Sequence, residues 1–277
     1  MTVTRFAPSP TGRLHLGHAY SALFAAEALK DEGDTLLLRI EDIDNTRCRQ
    51  EFTEGIIEDL SWLGIQWPAE VMLQSERLDI YAEALGKLRQ QGLLYPCFCT
   101  RKDIATEIAV AGAAPHDQAD VVYPGICRKL PETLRRQRVA VGEAHAWRLD
   151  SGKAVEIAGE LSWTDLGLGT RRVCMDRLGD VVLARKDIAG SYHLAVTVDD
   201  AWQGVTLVTR GEDLLDSTHV HRLLQELLGL PVPQWHHHHL LRNAEGKRLA
   251  KREEGMTLRA IRESGKSAAD VRGDLGF

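Results

Sequence analysis

The sequence predicts an α/β fold: a parallel sheet covered by helices on both faces and interrupted by an inserted module. Three observations predict it. Short apolar runs alternate with segments of helical apolar spacing over the first hundred residues. That rhythm breaks near Cys97 and resumes after Met175. A Pro/Gly-rich turn, APSPTGRLHLGH (Ala7–His18), separates the first strand from the first helix, the place where doubly wound sheets bind nucleotides.

Taken in order, Thr2–Phe6 predicts a short strand. Ala19, Leu23, Phe24, Ala26 and Leu29 recur at helical spacing and predict a helix over His18–Lys30, stopped by Gly33. LLLRI (Leu36–Ile40) reads as a buried strand. Glu51–Leu63 and Arg77–Gln91 read as amphipathic helices, the second closed by Gly92. The stretch from Cys97 to Met175 is irregular, with several basic residues and a loop-like AGAAPHDQAD, and reads as inserted. Then VTLVT (Val205–Thr209) predicts a strand, and LLDSTHVHRLLQELLG predicts a helix with Ser217 or Thr218 near its start. The four histidines at 236–239 lie inside the chain and are read as native. A polar loop, NAEGKRLAKREEG, and a short helical tail to Phe277 complete the reading.

Composition narrows the class. The 277 residues are 44% hydrophobic and 27% charged, enough for one large or two smaller globular domains. The sequence has no apolar run near the roughly 20 residues of a membrane span, and the N-terminus has no apolar signal region, so the expected compartment is cytoplasmic with no membrane partner. Five cysteines without an export signal argue against a disulfide framework. The net charge of -6 speaks against general coating of nucleic acid but leaves room for local basic faces. Candidates are Arg135, Arg136 and Arg138; Arg171 and Arg172; and Lys247, Arg248, Lys251 and Arg252. Each cluster alone also reads as a solvated surface.

The chemistry starts at the turn. His15 and His18 are three apart and no third ligand lies nearby in sequence, whereas helical zinc pairs usually stand four apart. The tight turn lets a ligand approach the backbone, and the following helix N-terminus attracts anions. Two imidazoles there suit phosphate oxygens whose charge grows in a transition state. On its own the tetrad reads equally as a helix cap. The Gly-led GKRLAKR (Gly246–Arg252) carries Lys247 and Lys251, and a lysine over an ATP phosphate suits adenylyl transfer.

Together these segments resemble the paired signatures of the class I aminoacyl-tRNA synthetases. His15-Leu16-Gly17-His18 resembles the HIGH motif. Arg248–Arg252 resembles the KMSKS loop in its glutamate-type form, with Ala250 where the family usually has serine. RFAPSPTGRLHLGHAYSAL, LLRIEDIDNTR and YHLAVTVDDAWQGVTLVTRGEDLLDST resemble the glutamyl branch, and the likeness spans almost the whole chain. It implies a Rossmann-like catalytic domain (1–96 and 176–235), an inserted zinc-binding module (97–175), and a KMSKS-like loop with a short helical stem-contact-like segment (236–277). It implies ATP and Mg2+ as cofactors, with His15, Gly17, His18 and Lys251 at the nucleotide and His15, His18 and Lys251 catalytic. It implies a glutamate pocket of Arg5, Ala7, Ser9, Glu41, Tyr192 and Arg210. The physics of the ligand agrees: two carboxylates and one ammonium need about two cations and one anion. Arg5 and Glu41 also read as an ordinary salt bridge, and Tyr192 as a core aromatic.

The resemblance further implies one structural zinc held by Cys97, Cys99, Tyr123 and Cys127. From the residues alone, three thiolates and one more ligand fill a tetrahedral site. Twenty-three residues separate Cys99 from Tyr123, and His116 among them is an alternative fourth ligand. Cys48 and Cys174 read as structural. The chain ends 25 residues after Arg252, so the expectation is a protein without the anticodon-binding domains of a full glutamyl enzyme. That truncation resembles a branch whose members activate L-glutamate without tRNA. They esterify it to queuosine in the anticodon stem-loop of tRNA(Asp). The expected state is a monomer. The rival expectations are a minimal enzyme charging the tRNA 3′ end, an inactive regulatory paralogue and a small-molecule adenylyltransferase.

Overall fold

Alternating apolar periodicities give alternating elements. The computed structural model describes residues 1–100, 102–104, 106, 122–186, 188, 190–241 and 257–277. In chain order they begin β1 (Val3–Phe6), α1 (Leu16–Glu27), β2 (Thr35–Ile40), α2 (Gln50–Trp62), β3 (Met72–Leu73), a 3-10 turn (Gln74–Arg77) and α3 (Leu78–Gln90). Next come β4 (Leu94–Cys97), α4 (Glu132–Ala140), β5 (Ala146–Leu149), α5 (Ser151–Ala158), β6 (Ser162–Asp165), β7 (Gly169–Arg172) and β8 (Val182–Ala184). The last are α6 (Tyr192–Trp202), β9 (Leu207–Gly211), α7 (Ser217–Leu228), β10 (Gln234–His238), α8 (Leu258–Glu263) and α9 (Ala268–Leu275).

β1, β2 and β3 pair in parallel in that order. β9 runs on the other side of β1, tied to it by Thr206 N donating to the Val3 carbonyl at 2.9 Å. β10 is parallel to β9 and β6 to β10, with β7 antiparallel at the edge. The chain thus winds outward from β1 and returns to its other side, so the β1/β9 boundary is the switch point of a doubly wound sheet. β6 and β7 come from the stretch 97–175 and extend this sheet. β4, β5 and β8 form a separate antiparallel sheet.

Two large apolar clusters hold the layers together. One packs α1 and α2 on β2 through Leu23, Leu38, Ile40, Ile56 and Leu60, and takes in Leu258, Ile261 and Val271 from α8 and α9. The other joins α3, α6 and α7 through Leu88, Leu194, Val220 and Leu224 and includes Leu149 and Leu183 of the antiparallel sheet. A small third cluster surrounds Cys97 and Cys127.

The sequence expectations differ from the structure mainly at element ends. α1 starts at Leu16 because His15 caps it, and it ends at Glu27, short of Lys30. β9 starts at Leu207, since Thr206 is used to bond Val3. β10 was hidden by its polar sequence, QWHHH: His237 and His238 are buried in a strand that the histidines disguise.

Candidate active site

The Pro/Gly turn is pinned where the sheet opens. Glu41 N donates to the Pro8 carbonyl at 3.0 Å and Arg49 N to the Pro10 carbonyl at 3.1 Å. Both histidines then organise the start of α1. Gly17 N donates to His15 Nδ1 at 3.1 Å, and His15 N donates to His18 Nδ1 at 3.3 Å, a reciprocal cap. The cap and phosphate readings are therefore compatible: capping consumes the Nδ1 atoms and places the ring protons on Nε2. A Cβ on Gly17 would stand 3.0 Å from His15 Cε1, so the glycine lets the rings sit with centroids 3.9 Å apart.

The segment after residue 256 returns to this turn. Leu258 N donates to the Leu14 carbonyl at 2.8 Å, and Thr257 forms a β-bridge with His15. On the other side, Leu240 and Leu241 line the same cavity. Lys247, Arg248, Ala250, Lys251 and Arg252 lie outside the described residues, as does His116.

A cavity of about 580 Å³ opens at the switch point. Arg5, Ala7, Ser9, His15, Gly17, His18, Glu41, Tyr192 and Arg210 all line it, brought together from positions up to 205 residues apart. Tyr20, Ser21, Thr209 and His238 line it too, without having been singled out in the sequence.

Two buried networks set its electrostatics. In the first, Arg5 Nε and Arg39 Nη1 share Asp200 Oδ1 at 2.9 and 2.8 Å, and Arg39 Nη2 stands 3.4 Å from Glu41 Oε1. The salt bridges across the strand ends therefore exist, but Arg5 pairs with Asp200 and Glu41 with Arg39. Burial pushes the Asp200 carboxyl up, yet the guanidiniums of Arg5 and Arg39 outweigh it and hold it below the usual range. For Glu41 burial wins over Arg39 and Arg5, and its carboxyl is raised. An ammonium beside Glu41 would restore its charge. Asp200 had a sequence signal, two adjacent acids inside the apolar helix LAVTVDDAW, where charge is rare unless paired.

In the second network Arg210, 6% exposed, donates to Tyr192 OH at 3.3 Å and to His221, His237 and Thr218. Burial and the like charge of the Arg5 guanidinium lower its pKa, and no carboxylate is bonded to it among the described residues.

The cysteine cluster assembles as a second centre. Sγ atoms of Cys97, Cys99 and Cys127 lie within 4.8 Å of one another. Tyr123 OH is 3.4 Å from Cys97 Sγ and 3.5 Å from Cys99 Sγ. Tetrahedral Zn–S bonds of about 2.3 Å would space thiolates by about 3.8 Å. The observed Cys99–Cys127 separation of 3.4 Å needs only a small expansion, so the donor set fits a metal. Cys48 is half-buried, whereas Cys174, expected to be structural, is exposed.

Of the basic clusters, Arg136 pairs with Glu132, Arg138 with Glu143 and Arg172 with Glu160. A second cavity, about 620 Å³, is lined by Arg89, Arg135, Arg136 and Lys153 beside Tyr95 and Trp147. Arg89 stacks on Trp147 at 4.8 Å. Among the described residues no helix is long and apolar enough to cross a membrane.

Comparison with known proteins agrees with this geometry. A glutamyl-Q tRNA(Asp) synthetase from Rhodobacter capsulatus is 45% identical, matching 99% of this chain and 100% of its own length. One from Symbiobacterium thermophilum is 42% identical over 100% of this chain and 86% of its own. Among solved structures, a glutamate tRNA ligase from Elizabethkingia meningosepticum in complex with its amino acid superposes with a TM-score of 0.76 at 30% identity. That match covers 96% of this chain, which spans about half (53%) of the solved one. Residues 1–270 match the family described as tRNA synthetases class I (E and Q), catalytic domain. With the cavity at the switch point and the HxGH cap at its rim, the chain belongs to that family of ligases.

Proposed function

We propose that this protein uses ATP and Mg2+ to activate L-glutamate as glutamyl-adenylate without tRNA. It then transfers the glutamyl group to queuosine in the anticodon stem-loop of tRNA(Asp). One observation carries the activation half: a single cavity holds the HxGH turn, a buried guanidinium, Arg210, without a bonded carboxylate among the described residues, and a buried carboxylate, Glu41. The transfer half is supported by relatives named for that acceptor, aligned along 100% and 86% of their own lengths.

Arg210 and Tyr192 receive the γ-carboxylate, and Glu41 receives the ammonium. Arg5 and Ser9 position the α-carboxylate, which attacks the α-phosphorus of ATP. Mg2+ bound with ATP would supply neutralisation of phosphate charge, and His15, His18 and Lys251 stabilise charge passing to pyrophosphate as it leaves. A diol hydroxyl of the modified base then attacks the acyl carbon of the adenylate, loses its proton and displaces AMP to form the ester, with no covalent enzyme intermediate. The zinc assigned to Cys97, Cys99, Tyr123 and Cys127 is structural. The cations of the second cavity offer phosphate contacts to RNA.

The test uses labelled glutamate with tRNA from queuosine-competent and queuosine-deficient cells, plus pyrophosphate exchange without tRNA. Exchange, with label only on queuosine-containing tRNA, is the expected result. Equal label on both, abolished by removing the 3′-terminal adenosine, overturns the acceptor and favours a minimal glutamyl-tRNA ligase. Lys251→Ala should cut the exchange rate far more than it weakens glutamate binding, and equal losses would remove Lys251 from the proposed role.

A further inference from the structure

We infer that Asp165 and His237 are positioning residues that hold Arg210 with no carboxylate bonded to it among the described residues, and so set the preference of the cavity for glutamate over glutamine. This rests on the glutamate reading above and adds two residues that do not line the cavity.

The argument starts at Asp165, which is 1% exposed at the end of β6. Its Oδ1 accepts from Gly167 N and Leu168 N, each at 2.9 Å. Its Oδ2 accepts from His237 N at 3.0 Å and stands 2.7 Å from His237 Nδ1. Burial pushes the Asp165 carboxyl up, but His237 and three backbone N–H groups outweigh it and hold it low. An ionised carboxylate can only accept, so His237 Nδ1 must carry the proton. His237 Nε2 is then a bare acceptor, and Arg210 Nε donates to it at 3.1 Å. Burial and the nearby Arg210 guanidinium keep the ring neutral, lowering its pKa to about 4. A protonated ring would face donor against donor.

The other contacts of Arg210 follow the same rule. Nη1 donates to Tyr192 OH at 3.3 Å and His221 Nδ1 at 3.1 Å, and Nη2 donates to Thr218 Oγ1 at 2.6 Å. His221, with Nδ1 accepting, passes its Nε2 proton toward His193 Nδ1 at 3.2 Å. Four of the five guanidinium N–H groups are thus held by neutral acceptors, leaving one on Nη2. The nearest charge compensation in this chain of contacts is Asp165, one imidazole away. It crosses adjacent strands: Asp165 on β6, His237 on β10, Arg210 on β9, with His237 in register with Arg210.

That spacing matters chemically. A carboxylate bonded directly to Arg210 would occupy its fork and cancel the charge a substrate must meet. Held by neutral acceptors, the buried cation remains undercompensated until a γ-carboxylate arrives. A γ-amide leaves it so, and the cavity rejects glutamine for that reason.

The test compares Asp165→Asn, His237→Leu and His237→Gln in tRNA-independent pyrophosphate exchange with glutamate and with glutamine. In Asp165→Asn the amide must present its NH2 to donors on one side or the other, and His237→Leu removes the link outright. Both should raise the KM for glutamate about 10- to 100-fold, the scale of a lost buried hydrogen bond to a charged group. The KM for ATP and kcat at saturating glutamate should change less than about threefold, with the glutamate-to-glutamine ratio of kcat/KM falling about tenfold. His237→Gln, whose amide both donates and accepts, should restore most of the loss. Unchanged glutamate KM and discrimination overturn the proposal. So does an equal loss in every parameter alongside a lowered melting temperature, which marks a merely structural pair. The His237 tautomer, read from its imidazole nitrogen chemical shifts without substrate, separates this inference from the functional reading. A proton on Nδ1 supports the positioning and one on Nε2 overturns it. Wild-type protein with no glutamate-dependent exchange overturns the functional reading and the specificity claim together, leaving the positioning to the tautomer.

Discussion

Replacing Asp200 by Asn tests the electrostatics of the cavity most directly. The Oδ1 atom of Asp200 holds Arg5 at 2.9 Å and Arg39 at 2.8 Å, and Arg39 is fully buried. At an effective dielectric of about 20, each contact near 4 Å between charge centres is worth about 4 kcal/mol before desolvation. The variant regains the desolvation of one carboxylate but leaves the two adjacent guanidiniums without their shared partner, with Glu41 at 3.4 Å from Arg39 and Asp199 acting on Arg39 from nearby. Breaking a buried pair from one side costs about 3–5 kcal/mol. At roughly 2–4 °C per kcal/mol for a chain of this size, the melting temperature should fall on the order of 10 °C. The pH dependence has a definite sign. The Asp200 pKa is depressed on folding, so its stabilisation is complete above the unfolded value of about 3.9. It is lost as pH falls through the lower folded value. Melting from pH 7 to pH 3 should therefore show a steeper acid loss in the parent than in the variant. Glutamate KM should also rise, because Arg5 loses its anchor. A variant that melts within about 2 °C of the parent at pH 7, with unchanged glutamate KM, would refute the idea that Asp200 organises the two guanidiniums.

Two further outcomes are expected. Purified protein should carry about one zinc per chain, and Cys127→Ser should lose it together with thermal stability, since a structural zinc contributes directly to folding. Full metal retention by that variant would remove Cys127 from the donor set. Asp59 on α2 is fully buried with neither carboxylate oxygen hydrogen-bonded among the described residues, and burial pushes its pKa up to about 6. The folded state therefore holds this proton more tightly than the unfolded one, so its contribution favours folding as pH drops from 7 toward 4. Asp59→Asn should raise the melting temperature more at pH 8 than at pH 5, and an equal shift at both would show that the carboxyl titrates normally.

The parts of the site that were legible in sequence are those built from contiguous residues. The turn from Ala7 to His18 could be placed because prolines, glycines and a histidine cap act within a few residues of one another. The strand and helix rhythm was visible because periodicity is local too. The partners of the arginines were not legible. Arg5 finds its carboxylate 195 residues away, and Arg39 finds the same one 161 residues away. Local alternatives existed in Glu41 and Asp42, and only the winding of the sheet decides among them. β10 was obscured for a related reason: histidine is polar in any composition count, yet His237 is buried because Asp165 and Arg210 satisfy both its nitrogens.

The winding of the chain also fixes the described residues on either side of 242–256, the stretch that carries the second half of the proposed nucleotide signature. α8 and α9 place Leu258, Ile261 and Val271 in the same apolar cluster as Leu14 and Leu23, which flank the HxGH tetrad. Arg262 pairs with Glu58, and Arg272 donates to the Leu63 carbonyl at 3.2 Å, fastening both helices to α2 and its C-terminal end. Upstream, β10 is bonded to β9 and delivers Leu240 and Leu241 to the rim of the cavity. The described residues on either side of 242–256 are therefore fixed to the two halves of the sheet that meet at the switch point. Burying α8 and α9 against α1 and α2 thus does more than stabilise a tail: it holds Thr257, which bridges to His15, at the HxGH turn.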